Sequence, residues 1–197
     1  MSYKGVVVIS GQKPSELMTV LLALALVGDR SAVEPLAKVL HDRDVTVSQV
    51  AEHALWTLWF RLGKQRAVHL VKNGNLHMRH NNYECAIEKF SQAIDADPDF
   101  AEAYHQRAMA YYLTERFAES IADCKTTLAR MPQHFAAMAM MGHCHAHLEQ
   151  WPQVHRCYRL ALAIHPGLDG LAAAVRKIDR ANLLPLRTDA IPSSFKR

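Results

Sequence analysis

Three prolines, Pro98, Pro132 and Pro166, stand thirty-four residues apart, and much of the chain between them keeps the same register. A fixed period of this length predicts stacked helical hairpins. Each unit is too small to bury its own apolar face and must share it with its neighbours. Small residues recur at Gly74, Ala108 and Gly142, and aromatics at Tyr83, Phe117 and Trp151. Large residues stand at Leu70, Tyr104 and Met138. A second large set, Phe90, Cys124 and Tyr158, is followed by small Ala93, Thr127 and Ala161. The pattern predicts two amphipathic helices per unit. The small residues let backbones approach, and the bulky ones fill the space between hairpins. Proline ends the second helix before the next unit begins.

At these residues the chain resembles the tetratricopeptide repeat (TPR) family, whose pattern is a large residue, then Gly, Tyr, Ala, a large aromatic, Ala and Pro at set offsets. Residues 67–100 match through Leu70, Gly74, Ala86, Phe90, Ala93 and Pro98. Residues 101–134 match through Tyr104, Ala108, Tyr111 and Pro132, with Ser120, Cys124 and Thr127 as looser positions. Residues 135–168 match through Gly142, Tyr158, Ala161 and Pro166. His77 and His145 stand where the family usually has Tyr. The resemblance covers about half of the chain. It implies protein binding rather than chemistry, although a fold alone does not fix a function.

Upstream, apolar spacing predicts helices over 15–27, 32–40 and 45–62, with Ser15 as the N-cap of the first. The stretch Ala32-Val33-Glu34-Pro35-Leu36, followed by Leu40, Asp42, Asp44, Val47, Ala51, Ala54 and Leu55, resembles a HEAT-type repeat. Ser48 stands where that family often has an arginine facing the acidic turn. The first of these helices looks like the second half of a truncated unit. One and a half repeats are not stable alone, so residues 14–63 are expected to stack on the TPR units. The expected architecture is an all-α, right-handed α-solenoid of about ten helices.

A last helix, within 169–182, has Leu171, Ala174, Val175 and Ile178 on one face and Lys177, Asp179 and Arg180 on the other, the character of a solenoid cap. Residues 183–197 hold Pro185 and Pro192 without periodicity and read as an extended or disordered tail. Residues 1–13 read as an extended arm, in which Val6-Val7-Val8-Ile9 forms a short strand if it finds an edge to pair with.

Half of the residues are hydrophobic, enough for a continuous core. The formal charge of +4 is small and evenly spread, and RNA-binding aromatic signatures are missing, which argues against nucleic acid as a partner. The four cysteines, Cys85, Cys124, Cys144 and Cys157, form no C-x-x-C pair and read as buried thiols in a reducing compartment. The longest apolar run, Leu17 to Val27, is shorter than the roughly 20 residues a bilayer requires. It continues into regular helix without a cleavage signal. The expectation is a cytoplasmic protein with no membrane partner.

The chain holds no phosphate loop, no G-x-S-x-G elbow and no H-E-x-x-H, so neither an enzyme nor a cofactor is expected. Asp95 and Asp97 fall in a turn and read as helix-end groups. Histidine is enriched at His143, His145 and His147. His143 and His147 are four apart, share a helix face, and could hold a metal ion if further ligands converged. His145 is expected to point into the hairpin. No native metal site is expected, and the two histidines stand as weak candidates.

The resemblance also implies a concave groove lined by the first helix of each hairpin. Carried over by register, Val68, Val71, Asn75, Met78 and Arg79 line it from the first unit. Glu102, His105, Gln106, Met109, Tyr112 and Leu113 follow from the second. Ala136, Ala139, Met140, His143 and His147 complete it. The residues expected to touch a ligand are Asn75, Met78, Arg79, His105, Met109, Tyr112, His143 and His147. One TPR subclass grips the terminal carboxylate of chaperone tails with a Lys, Asn and Arg set. Asn75 matches one of those positions. Val71, Gln106, Ala136 and Met140 stand at the others, so that clamp is largely missing. The groove suits an apolar peptide or a helix better than an acidic tail.

Three functional readings follow. The first is a scaffold binding a protein or peptide partner. The second is a metal-binding protein using His143 and His147. The third is a structural protein assembling as a homo-oligomer.

Overall fold

The computed structural model describes residues 14–181. The expected N-terminal arm and C-terminal tail therefore lie outside the described residues. Within them the chain is helical throughout, with α1 Pro14–Val27, a 3-10 turn Arg30–Ala32, α2 Val33–Val39, α3 Val45–Arg61, α4 Gln65–Arg79 and α5 Tyr83–Ala96. There follow α6 Ala101–Leu113, α7 Phe117–Arg130, α8 Phe135–His147, α9 Trp151–Ile164 and α10 Asp169–Arg180. No helix among the described residues is long and apolar enough to cross a membrane.

The period becomes three hairpins, α4–α5, α6–α7 and α8–α9, with α5 packed on α6 and α7 on α8. The first helices also touch one another from unit to unit, α4 with α6 and α6 with α8, so they form the inner face. The recurring small residues stand where helices approach. A Cβ added to Gly74 would lie 2.3 Å from Cε1 of Phe90, and one added to Gly142 would lie 2.4 Å from Cε1 of Tyr158. The aromatic of the second helix thus rests on the glycine of the first.

Each hairpin turn repeats as well. Asn81, Glu115 and Glu149 adopt left-handed backbone, with φ of 58°, 59° and 56°. The amide of the following residue reaches back to close the helix, from Asn82 to the His77 carbonyl, Arg116 to Tyr111 and Gln150 to His145, at 2.8–2.9 Å. These are Schellman closures made without glycine. The period could not reveal them, since Asn and Glu share no turn signature.

Successive units are joined by polar bonds. Arg107 grips Asp123 through Nε and Nη2 at 2.7 and 2.9 Å, and its Nη1 donates to the Ser91 hydroxyl at 2.9 Å. A forked pair of this kind is geometrically specific. It ties α6 both to α7 and back to α5.

The N-terminal helices form a unit of their own. α3 packs on α1 and α2 around Leu21, Leu36, Leu55 and Leu58, all fully buried. Asp44 caps α3 by accepting from the Thr46 amide at 2.8 Å. Ser15 is not a cap: it already lies within α1. Ser48, at the place where the HEAT-type pattern often has an arginine, donates its hydroxyl to the Leu40 carbonyl at 3.1 Å. Arg61, at the end of α3, reaches the carbonyls of Ala25 and Gly28.

This unit does not simply extend the stack beyond α4. The chain turns at Gly63, where an added Cβ would lie 2.6 Å from the Phe100 ring. α3 then lies against α6, and its Trp56 and Trp59 reach the start of α8. Ala101, Met131 and Phe135 from the inter-repeat turns are part of the same buried cluster as Leu55 and Leu58. The physical reason is the face of α3. Two indoles on one side need a large apolar partner, and the turns supply it. At the far end α10 packs on α9, burying Leu171 and Ile178 and exposing Lys177, Asp179 and Arg180, as a cap should.

Candidate peptide-binding groove

The inner face divides into a covered half and an open half. The covered half is the first turns of α6 and α8. His105, read from the sequence as a ligand contact, is 2% exposed. The Trp56 ring lies 6.1 Å from His105 and 6.0 Å from His134, centroid to centroid. The N-terminal unit has taken this part of the groove, so His105 does not face an open surface. Glu102 and Gln106 are buried with it, and Val71 is fully buried in the core of the first unit. Ala136 packs on the N-terminal core. Of the positions where a carboxylate clamp would require cations or amides, Asn75 alone stays polar and accessible, and Val71, Gln106, Ala136 and Met140 are apolar or sealed.

Beneath the two tryptophans sits a buried polar cluster. Glu102 Oε1 accepts from Gln106 Nε2 at 2.6 Å, and Glu102 Oε2 lies 3.1 Å from His134 Nε2. His134 is the N-cap of α8: its Nδ1 accepts the Ala137 amide at 3.2 Å. That bond places the proton of the neutral ring on Nε2, which then donates to Glu102. Burial holds His134 down at about 3, so the contact is a hydrogen bond rather than an ion pair. His105 is also held at about 3, by burial first and by its neighbour His134 second. Burial raises Glu102. The Nδ1 atom of His105 and Nε1 of Trp59 are buried without a hydrogen-bond partner.

The open half lies toward the ends of α4, α6 and α8. Arg79 is exposed, and Asn75, Met109 and Tyr112 are partly so. Met78 is half-buried and packs on the core of the first unit, which makes it a wall of the groove. The Tyr112 hydroxyl lies 3.0 Å from Nε2 of His147, and the His147 ring stacks on Phe117 at 4.7 Å. His143 Nδ1 lies 2.8 Å from the Tyr158 hydroxyl. Burial lowers the pKa of His143, with His147 a second cause. It pushes Tyr158 up to about 12. His145 does not enter the hairpin; its Nδ1 meets Gln150 Oε1 at 2.6 Å beside the turn.

Tyr112, His143 and His147 are thus gathered in one place, each imidazole already engaged by a tyrosine. Among the described residues, the group of His, Cys, Asp and Glu atoms close enough to share an ion is Glu102, His105 and His134, not the surface pair. Sequence reasoning missed Trp56, Trp59 and Phe117 here. The period stops before residue 67, so it gave no register for Trp56 and Trp59. Phe117 was visible as a recurring aromatic, but not as the platform under His147.

Residues 74–114 match a family model described as TPR repeat. RNA polymerase II-associated protein 3 of Rattus norvegicus is 29% identical over 121 residues, which is 61% of this chain and 18% of that protein. Tetratricopeptide repeat protein 12 of Homo sapiens is 30% identical over 108 residues, 55% of this chain and 15% of that protein. This chain spans about a fifth or less of the length of these relatives. Among solved structures, the first TPR of Spaghetti (RPAP3) bound to HSP90 peptide SRMEEVD superposes with a TM-score of 0.58 at 26% identity. The match covers 61% of this chain and 95% of that one. The second TPR domain of human RPAP3, in complex with HSP70 peptide SGPTIEEVD, gives 0.55 at 25% identity, covering 58% and 95%. Residues 74–114 thus match a TPR repeat, and the helical hairpins share the fold of solved TPR domains.

Proposed function

We propose that this chain is a non-enzymatic cytoplasmic interaction module that holds an apolar peptide or an amphipathic helix in the open half of its inner face. The carrying observation is the split groove. Trp56 covers the inner face at His105, whereas Asn75, Arg79, Met109 and Tyr112 remain accessible on adjoining helices, with Asn75 the one clamp-type residue among them. Similar TPR domains are described as bound to the HSP90 peptide SRMEEVD and the HSP70 peptide SGPTIEEVD, which supports peptide recognition in general. The missing cations argue for a different ligand chemistry, an internal segment with apolar anchors. Tyr112 offers a rigid ring with a polar tip, a combination enriched at binding hot spots. Met109 and Met140 can adapt their shape to it. Asn75 and Arg79, four apart on α4, orient its polar atoms. The HEAT-like reading of α1–α3 belongs to this proposal, with the N-terminal unit shaping the groove rather than binding the ligand. The rival reading, a metal ion on His143 and His147, has less support, because each ring already spends a nitrogen on a tyrosine.

The test is a displayed library of random peptides panned on the full chain, with SRMEEVD as a comparison ligand. Apolar or helical sequences should be enriched and should bind at least tenfold more tightly than SRMEEVD. The double variant Tyr112→Ala/Arg79→Ala should lose them with its melting curve unchanged. Selection of acidic carboxy-terminal motifs, or full binding by the double variant, would sink this reading.

A further inference from the structure

We propose that Glu102, His105 and His134 form a binding site for a divalent transition ion, zinc foremost, buried where the N-terminal unit covers the second and third repeats. One donor atom from each residue lies within 4.8 Å of the other two. Two imidazoles and a carboxylate are a nitrogen–oxygen set suited to zinc.

A second observation is independent of this proximity. His105 Nδ1 is buried and has no hydrogen-bond partner. Buried polar atoms are rarely left in that condition, and an ion in the cluster would give this ring an attachment. The surroundings fit as well. Gln106 holds Glu102 by Oε1 at 2.6 Å and leaves Oε2 toward the cluster, the way an outer partner orients a ligand. A cavity of about 10 Å³, close to the volume one water needs, borders Glu102, His134 and Trp59 but not His105. Occupation requires one rearrangement. Ligation through His134 Nε2 moves that ring's proton to Nδ1, so the donation to Glu102 and the hydrogen bond from the Ala137 amide are both given up, and the amide must find another acceptor. The ion would join α6 to the start of α8 beneath the two tryptophans.

The full chain, stripped with chelator and refolded with and without zinc chloride, tests this by calorimetry and thermal melting. One ion per chain is expected, with a higher melting temperature for the loaded protein. Glu102→Gln and His105→Gln should each weaken binding at least tenfold, whereas His143→Ala/His147→Ala should keep it. Cobalt provides a second readout that does not depend on variant folding. In a Trp151→Phe background it should quench the fluorescence of Trp56 and Trp59, because the Trp59 ring stacks 4.1 Å from His134. Absence of stoichiometric binding overturns the proposal. So does binding that survives Glu102→Gln but is lost in the His143/His147 variant, or cobalt binding that leaves the fluorescence intact.

Discussion

The indole of Trp59 lies flat on the imidazole of His134, with centroids 4.1 Å apart and planes within 14°. One ring belongs to α3, and the other caps α8, seventy-five residues later. Trp59 is 2% exposed, so truncating it opens a large cavity and uncovers the polar cluster together. Trp59→Ala should cost about 3–5 kcal/mol, the range for buried aromatics. Trp151→Ala, at a half-buried site, should cost less. Urea unfolding of both variants provides the comparison, and equal losses would mean that the N-terminal unit is not closely packed on the repeats.

Glycines offer a contrast of sign. In Gly74→Ala the new methyl meets the Phe90 ring at 2.3 Å, and in Gly142→Leu a larger group meets Tyr158. Overpacking of this kind costs about 1–3 kcal/mol, more than the roughly 1 kcal/mol that alanine gains over glycine in a helix. Both variants should melt lower. Gly170→Ala meets nothing within 4 Å and should melt unchanged or slightly higher.

The left-handed turn residues predict a third result. Glu149 has φ 56°, where a β-branched side chain is strained and glycine is not. Glu149→Val should lower stability by about 1–2 kcal/mol. Glu149→Gly should stay within about 1 kcal/mol of the parent, since glycine's larger unfolded-state entropy offsets the relief of strain. Thermal melts at one pH decide it, and a Val variant as stable as the parent would show a different turn in solution.

Thiol chemistry checks the repeat core. Cys85 is exposed, whereas Cys124, Cys144 and Cys157 are buried. Burial raises all three buried thiols, Cys157 to about 11, so their thiolate fraction near pH 8 is small. A chromogenic disulfide reagent at pH 8 should therefore titrate one thiol rapidly in the native protein and four in denaturant. Two or more fast thiols in the native state would place a cysteine wrongly.

The repeat half of the molecule was legible because the thirty-four-residue period is itself a packing rule. Register marked Gly74 and Gly142 as points of close approach, but it assigned Phe90 and Tyr158 to the space between hairpins, and they instead rest on those glycines inside the hairpin. The groove was half legible for the same reason. Register brought Tyr112, His143 and His147 to one face, but it also assigned His105 there, and nothing periodic warned that Trp56 would cover it. The placement of α1–α3 depends on contacts between residues far apart in the chain, which carry no local pattern. The role of His134 as both cap and cluster member was hidden too, because histidine is not a residue one expects at an N-cap.

A row of repeats that touch only their neighbours can unzip from either end. Here residues 52–59 reach α6 at His105 and the turns at 134 and 165, where His165 Nε2 lies 3.2 Å from Glu52 Oε2. The N-terminal unit therefore acts as a clasp across the array. The last hairpin cannot peel away without breaking the clasp, and contacts spanning a hundred residues must close before it locks. Chain closure of that kind slows folding relative to a simple repeat row and makes loss of structure more nearly all-or-none.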